Sequence, residues 1–364
     1  MANYTTIDDP TLYFSTTIYT GDGNQNRAVT IDGTGMQPDW LWVKNRSAAE
    51  GHVVGDSVRG ASQRLIPNST DAEANRPTNI ASFTSTGFTV ANGGVDGAVN
   101  TNSATYVSWG WKAGTSFTND ASSTGIGSID SAGSVSTDAG FSIMTYTGTG
   151  SNATFAHGLS AVPKMAIFKD RSSTGYWMTY HQAVGNGANL VLNETNASSS
   201  SSVWWNSTSP TSSVFSIGTS SNINVSGRNY VGYLFAEKQG YSKFGSYIGN
   251  GNANGTFVYT GQKSAFIMIK AASRAGTWNM YDVKRSTFNN IDDFITANTS
   301  DAETTGNTYQ NIDILSNGFK CRGTGTGTNE SGSTYIYMAF AENPFVTSTG
   351  VPACARWLCS YLLT

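Results

Sequence analysis

Charged side chains are scarce in this sequence. Its 364 residues include 21 lysines and arginines against 24 aspartates and glutamates, so the net charge is only −3. A protein that binds nucleic acid through electrostatics needs a basic patch or stripe, and we therefore expect no nucleic-acid partner. Glycine, serine, threonine and asparagine are abundant instead, a composition typical of extracellular or virion β-proteins.

Long apolar runs are also missing. None approaches the ~20 residues of a membrane-spanning helix, so the sequence predicts no membrane span. The first residues have neither a basic start nor an apolar core and do not look like a secretory signal peptide. An exterior composition without an export signal leads us to expect a virion location, reached when the host cell lyses.

Cysteine and histidine are too few for the common catalytic and metal sites. The three cysteines, Cys321, Cys354 and Cys359, cannot form a disulfide framework, and free thiols are favoured over a Cys354–Cys359 bridge. The three histidines have no metal-binding partner at the usual spacing and no Gly-x-Ser-x-Gly motif accompanies them: His52, His157 and His181. We predict structural roles for them, with no catalytic residue, metal or cofactor. The Asp-Gly and Asn-rich loops lack the calcium-loop pattern.

What the sequence does contain is a pattern that occurs three times. Each copy opens with a tyrosine before a glycine-containing turn, and an apolar run ending in lysine follows 25, 23 and 23 residues later. An aromatic strand closes each copy 87, 84 and 88 residues after the opening tyrosine. The markers are Tyr19, Tyr146 and Tyr247, then Lys44, Lys169 and Lys270, then the strands that begin at Tyr106, Tyr230 and Tyr335. Three markers in register favour an internal repeat.

The repeat divides the chain into three modules with short additions. We predict an N-terminal arm (1–12), module one (13–117), a connector rich in serine, threonine and glycine (118–140), module two (141–240), module three (244–345) and a C-terminal tail (346–364). The connector's composition indicates a flexible or loop segment. The tail turns apolar from Trp357 to Leu363 and should pack on its own module or on a neighbouring subunit.

Each module reads as a β-sandwich. Strand-like stretches alternate with hairpin signals at Asp32-Gly33, Gly93-Gly94 and Asp96-Gly97, and helical periodicity is short wherever it occurs. A unit of this length suits seven or eight short strands in two sheets. The predicted fold is all-β, with three tandem antiparallel, jelly-roll-like sandwiches that bury their aromatic residues in separate cores.

An aspartate and an arginine three residues apart recur in two modules, as Asp56 with Arg59 and as Asp282 with Arg285. Module two has His181 at the aspartate position, so the pair is absent there. Such a pair can hold a charge-assisted hydrogen bond within a turn. We interpret both as structural ion pairs, with ligand binding as the alternative.

Two further groups bear on a possible sugar ligand. Trp204 and Trp205 follow a run of five serines and could stack on a host-surface glycan, although paired tryptophans in β-modules more often belong to the core. Asp292 and Asp293 are the only adjacent acids, and glycoside cleavage would require paired carboxylates. The alignment of lysine and glutamate positions also predicts cross-strand pairs of Lys169 with Glu237 and of Lys270 with Glu342.

Several stretches carry a family resemblance. They are Tyr-Thr-Gly-Asp-Gly (19–23), Pro-Asp-Trp-Leu-Trp-Val-Lys-Asn-Arg-Ser (38–47), Asp-Ser-Val-Arg-Gly (56–60), and the segments 65–73, 85–90, 106–114 and 341–345. The pattern resembles a module repeated in structural proteins of marine tailed phages and covers about residues 13–350. The resemblance implies concanavalin-like or SPRY-like β-sandwiches in decoration or fibre proteins, without catalytic residues.

Together these features predict a non-enzymatic virion protein, either a capsid decoration or a head or tail fibre. Its partners would be other virion proteins, and a homo-oligomer, with a trimer among the open states, would fit. In the decoration case the three modules could surround a pseudo-threefold axis. A carbohydrate-binding adhesin is the alternative, and a polysaccharide depolymerase is a weaker one.

Overall fold

The computed structural model describes residues 4–92 and 98–353. Within them, regular structure is almost entirely β, with one helical turn at Pro10–Leu12 and a short helix, α1, at Ala121–Thr124. The predicted all-β class with antiparallel sandwiches is confirmed. None of the helices in this part of the chain is long and apolar enough to cross a membrane.

Module one has a six-stranded sheet in the order β1-β9-β3-β4-β5-β6 and a three-stranded sheet in the order β2-β8-β7. Its strands are β1 (Phe14–Thr20), β2 (Arg27–Thr30), β3 (Trp40–Asn45), β4 (Val53–Asp56), β5 (Gly60–Leu65), β6 (Ala74–Asn75), β7 (Ile80–Thr84), β8 (Gly87–Val90) and β9 (Thr105–Trp111). The Asp32-Gly33 hairpin prediction is wrong, because β2 pairs with β8 whereas β3 pairs with β9 and β4. That turn joins two different sheets.

Module two has an eight-stranded sheet in the order β10-β11-β12-β19-β14-β15-β16-β17 and a two-stranded sheet, β13-β18. Its strands are β10 (Thr115–Asn119), β11 (Ser131–Ser136), β12 (Phe141–Thr147), β13 (Ala153–Ala156), β14 (Pro163–Asp170), β15 (Met178–His181), β16 (Ala188–Val191), β17 (Ser199–Ser200), β18 (Val214–Ile217) and β19 (Asn229–Ala236).

Module three has a five-stranded sheet in the order β20-β27-β22-β23-β24 and a three-stranded sheet in the order β21-β26-β25. Its strands are β20 (Ser242–Ile248), β21 (Phe257–Tyr259), β22 (Gln262–Ala271), β23 (Trp278–Asp282), β24 (Ile295–Thr296), β25 (Ile312–Leu315), β26 (Gly318–Cys321) and β27 (Thr334–Pro344). In all three large sheets the opening strand pairs with the closing strand, which pairs with the lysine strand: β1-β9-β3, β12-β19-β14 and β20-β27-β22.

The connector is not the flexible loop that its composition suggested. About half of it lies in β10, α1 and β11, and β10 pairs with β11, which in turn pairs with β12 of module two. Asp120 caps α1 by accepting the backbone N–H groups of Ser122 and Ser123. Small polar residues make the same backbone ladder as apolar ones, and Phe117 and Val135 anchor the hairpin on the module-two core.

Each module has its own core between its large and small sheets, but the expectation of wholly separate cores is wrong. A fourth, central cluster collects residues from all three large sheets. Along β3, Leu41 and Val43 face the module-one core while Trp40 and Trp42 face the central cluster, because side chains alternate across a strand. Sheets buried on both faces need continuous apolar runs, which is what the lysine strands are.

Aromatic rings fill the central cluster. Trp40 of module one lies 4.5 Å from Tyr233 of module two and 4.4 Å from Trp111, measured between ring centroids. Phe14 of module one stacks on Phe340 of module three at 5.1 Å. Such pairs contribute about 0.5–1.5 kcal/mol each beyond the area they bury, so the shared cluster binds the modules into one body.

The N-terminal arm joins this body. Ile7 is buried in the central cluster, the Thr5 hydroxyl donates to the Gln239 carbonyl at 2.9 Å, and the Tyr4 hydroxyl donates to the Gly261 carbonyl at 2.7 Å. The predictions at Gly93-Gly94, at Asp96-Gly97, at Cys354 and Cys359 and for the apolar part of the tail lie outside the described residues. Cys321 is a buried free thiol.

Candidate functional site

The modules meet at three junctions that repeat the same contacts around a ring. At each one a buried ring nitrogen hydrogen-bonds to a backbone carbonyl of the neighbouring module. The three bonds are Trp177 Nε1 to Ile66 O at 3.0 Å, Trp278 Nε1 to Val191 O at 3.0 Å, and His52 Nε2 to Thr296 O at 3.1 Å. They run from module two to one, from three to two and from one to three, so the ring closes within one chain.

A backbone hydrogen bond accompanies each ring nitrogen. In each module, a backbone amide in the loop after β5, β16 or β24 is the donor. The acceptor is the carbonyl of the second residue after the marker lysine of the next module. These bonds are Glu73 N to Arg171 O at 3.1 Å, Ser198 N to Ala272 O at 2.9 Å, and Glu303 N to Arg46 O at 2.9 Å. Two independent sets of contacts therefore follow the same cyclic order.

The three marker lysines are fully buried at these junctions. Each ammonium donates to backbone carbonyls, and in two cases one of these carbonyls belongs to the neighbouring module. The bonds are Lys44 to Asn45 O and Ala48 O, Lys169 to Asp170 O and Thr70 O, and Lys270 to Ala271 O and Thr195 O. Burial lowers the pKa of each lysine to about 8.

The predicted lysine–glutamate pairs across the strands are wrong. Glu237 pairs with Lys243 at 2.6 Å and Glu342 pairs with Lys263 at 3.4 Å. Lys169 and Lys270 lie two residues after Ile167 and Met268, which belong to the central cluster. Because side chains alternate along a strand, these lysines are on the same, central side of their sheets. Glu237 directly follows β19 and Glu342 lies near the end of β27, so both glutamates are at the opposite end of the sheet from the marker lysines.

Both Asp–Arg pairs form. The Arg59 Nε and Asp56 Oδ2 atoms are 2.6 Å apart, as are the Arg285 Nε and Asp282 Oδ2 atoms, and all four side chains are 0% exposed. The Asp56 carboxylate also accepts the backbone N–H groups of Val58 at 3.1 Å and Arg59 at 2.8 Å. The turn geometry is that of the structural ion pair predicted from the sequence.

Each pair continues into a network that crosses a junction. In the first, Arg59 binds Glu73 at 2.7 Å, Glu73 binds Arg171 of module two at 2.9 Å, and the Tyr233 hydroxyl donates to Asp56 at 2.7 Å. Burial opposes the charge on Glu73, but Arg171 and Arg59 together lower its pKa.

The second network has the same form. Arg285 binds Glu303 at 2.9 Å, Glu303 binds Arg46 of module one at 2.8 Å, and Trp109 Nε1 donates to Asp282 at 3.1 Å. The sequence reasoning missed both glutamates. Their signal is the Asp-Ala-Glu triplet that occurs at 71–73 and again at 301–303.

The junction between modules two and three has no such network. Its equivalent positions hold His181, Val184, Ser198 and Ala272. The His181 Nε2 atom lies 3.2 Å from the Tyr337 carbonyl of module three, and burial lowers the pKa of His181 to about 4. A neutral imidazole therefore stands at neutral pH where the other two junctions have an aspartate in an ion pair.

The opening tyrosines have one role in all three modules. Each ring stacks on the first tyrosine of the closing strand, and the three pairs, Tyr19–Tyr106, Tyr146–Tyr230 and Tyr247–Tyr335, have centroid distances of 5.0, 5.2 and 5.2 Å. Each hydroxyl donates to a carbonyl one residue before a buried asparagine: Asn100, Asn224 or Asn329. Each asparagine binds the backbone of the glycine turn, and the sequence analysis overlooked this residue, which stands six positions before the closing tyrosine.

The tryptophan pair does not form a stacking platform. Trp205 is 0% exposed, donates its indole N–H to the Ala188 carbonyl at 2.8 Å, and packs against Phe168, Tyr180 and Phe215. Trp204 is half-buried against the same core. Trp205 is thus a core residue, and the glycan prediction for this pair is wrong.

The adjacent acids also have local structural contacts. The Asp293 carboxylate accepts the Gly306 N–H at 3.1 Å, and the Asp292 carbonyl accepts the Asn307 N–H at 3.0 Å. Both residues therefore fix the loop that precedes β25. Across residues 4–92 and 98–353, no three His, Cys, Asp or Glu side chains lie close enough together to hold a metal ion.

Comparison with protein families gave one match. The sequence profile of a family described as a domain of unknown function, DUF7483, matches residues 9–344. No curated protein and no solved structure matched the chain. The matched range contains the whole ring of junctions.

Proposed function

We propose that this chain, which belongs to the DUF7483 family, is a non-enzymatic structural protein of a phage virion that acts through protein–protein assembly. The observation that carries this proposal is the cyclic order of the junction contacts. One chain encloses a central aromatic cluster with three large sheets that share a central strand order, and so arranges three sandwiches around one axis. The family description itself assigns no role.

Capsid decoration is the form of this role that the geometry favours. A fibre built from three chains would need apolar faces to share among them, whereas the large sheets of this chain already bury both faces within one molecule. A body with internal threefold likeness can instead contact three similar partners at a symmetric position of a lattice. Three weak contacts from one rigid body would add up to firm attachment.

The test is the position and copy number of the chain in purified particles. We expect cryo-electron microscopy to show one monomer at each of a set of threefold or pseudo-threefold capsid positions, with a matching copy number by quantitative mass spectrometry. We also expect the isolated protein to sediment as a monomer. Density on the tail, or a stable homotrimer in solution, would contradict the decoration role.

A further inference from the structure

The outer faces of the three small sheets differ in chemistry. In module three, strand β21 exposes Phe257 and Tyr259, whose side chains are 46% and 52% accessible, while Val258 between them is buried. Side chains two residues apart lie on the same face of a strand. The two rings therefore stand side by side on the solvent face of the sheet.

The fold does not require aromatic residues at these positions. The equivalent residues of module one are Ala28 and Thr30, because Val29 pairs with Phe88 as Val258 pairs with Phe319. In module two the equivalent residues of β13 are Thr154 and Ala156, because Phe155 pairs with Phe215 as Val258 pairs with Phe319. Among the residues that the structure describes, module three alone therefore has aromatic side chains at these positions.

A small cavity lies beside Tyr259, where the N-terminal arm, the joint between modules two and three, and the β21–β22 turn meet. Its volume is about 160 Å³, and its lining includes Tyr4, Glu237, Gln239, Lys243 and Thr260. Sites for drug-sized ligands usually measure about 300–1,000 Å³. The cavity therefore suits a single small ring rather than a large cofactor.

Glycine and the arm set the wall of this cavity. Gly261 has φ +72°, and a Cβ atom there would lie 2.7 Å from the Tyr4 hydroxyl. The Tyr4 hydroxyl donates to the Gly261 carbonyl at 2.7 Å and lies 3.2 Å from the Tyr259 hydroxyl. The edge of the Tyr259 ring is thereby held at the mouth of the cavity.

The charges in the lining favour a neutral ligand. The Lys243 ammonium and the Glu237 carboxylate lie 2.6 Å apart and neutralise each other. The Gln239 amide and the phenol groups of Tyr4 and Tyr259 supply both hydrogen-bond donors and acceptors. An exposed aromatic face next to neutral polar groups matches a pyranose ring, which has an apolar face and a rim of hydroxyls.

We propose that module three carries a binding site for a neutral glycan. One sugar occupies the cavity against Tyr259, and the next stacks on Phe257, whose position two residues away along the strand is about 7 Å distant. The site can be tested on the isolated chain, independently of the chain's place in the particle. In a virion it would supply host-surface attachment.

The experiment is a screen of the full chain against an array of neutral and acidic oligosaccharides, followed by titration calorimetry of the best neutral binder. We expect binding of at least one neutral glycan. Tyr259→Ala should weaken it about tenfold or more, Phe257→Ala somewhat less, and Tyr259→Phe only slightly, because the stacking face is the main loss.

Tyr176→Ala is the matched control, since Tyr176 is an aromatic residue of module two with 43% exposure. This variant should bind as the parent does, and circular dichroism should show that all variants are folded. Retention of acidic glycans alone, failure to bind any neutral glycan, or a Tyr259→Ala variant that binds like the parent would each overturn the proposal. None of these results would bear on the particle location.

Discussion

The junction between modules one and two and the junction between modules two and three close the same ring with different chemistry. Both have an indole N–H bonded to a carbonyl across the boundary at 3.0 Å, and both have a loop amide bonded to the next module. The first adds a network in which buried Asp56 and Arg59 join the partly buried Glu73 and Arg171, and the second has no such network among the described residues.

The comparison indicates that the neutral contacts are sufficient for closure. Moving paired charges out of water costs about as much as their attraction returns, and apolar replacements are often as stable. The networks should therefore contribute little net stability while being sensitive to the loss of one partner. The four predictions below test this view of the junctions.

The largest effect should follow removal of one buried arginine. Arg59→Ala leaves the Asp56 carboxylate, 0% exposed, without its cation, and we expect a loss of about 3–5 kcal/mol in the free energy of unfolding. The matched control is Val184→Ala at the equivalent position of module two, which removes only apolar contact and should cost about 1 kcal/mol. Urea unfolding measures both, and equal losses would contradict the comparison.

A smaller effect concerns Lys270, the buried lysine at the junction of modules two and three. Burial lowers the pKa of Lys270 to about 8, helped by Arg274, whereas an unfolded lysine titrates near 10.4. Between these values the unfolded chain holds a proton that the folded chain has released, so this lysine should add stability as the pH rises above 8. We expect the parent to gain about 1.5 kcal/mol over Lys270→Met between pH 8 and 9.5.

Urea unfolding of both proteins at several pH values would measure this gain. Titration of the buried tyrosines acts above pH 10 and is common to the two proteins, so the difference between them isolates Lys270. If the two stability curves ran parallel from pH 8 to 9.5, burial would not lower the pKa of Lys270, and the prediction would be wrong.

The indole bonds should have equal value at the two junctions. Trp177→Phe and Trp278→Phe each remove one N–H donor. The Ile66 and Val191 carbonyls keep their turn hydrogen bonds from the Ser69 and Glu194 N–H groups, so each change should cost about 0.5–1.5 kcal/mol. Thermal or urea unfolding of the two variants provides the measurement. A much larger loss for Trp177→Phe would mean that the ionic network depends on the neutral bond beside it.

The smallest effect is expected when the network is transplanted. The quadruple variant His181→Asp, Val184→Arg, Ser198→Glu, Ala272→Arg introduces counterparts of all four network residues at the junction of modules two and three. Because a satisfied buried ion network is close to neutral against apolar contacts, its stability should stay within about 1 kcal/mol of the parent. A gain of several kcal/mol would show that the networks stabilise the ring directly.

The sequence revealed the markers but not their contacts. Tyr19, Tyr146 and Tyr247 were recognised by spacing, and their stacking on the closing strands follows from the pairing of first and last strands. Asn100, Asn224 and Asn329 were overlooked, because an asparagine in a polar loop has no local signal of burial. Trp205 could not be placed, since a tryptophan beside a serine run reads equally well as core or surface.

The connector shows where composition misleads. Serine, glycine and threonine indicated a loop, but a strand at a sheet edge needs only backbone hydrogen bonds and a few anchors such as Val135. At the lysine strands the composition was informative but was interpreted wrongly. Their continuous apolar runs indicate burial on both faces of the sheet, whereas the prediction placed them in a single sandwich core.

By itself, the amino-acid sequence determined the all-β class, the three marker sets and the Asp–Arg turns, because strand alternation, turn residues and i to i+3 ion pairing are local properties. Only the tertiary structure decided that the sheets share a central core, that the junction contacts close into a ring and that the exposed aromatic pair belongs to module three. Those features join residues up to 257 positions apart, and no local pattern encodes which distant surface will cover an apolar face.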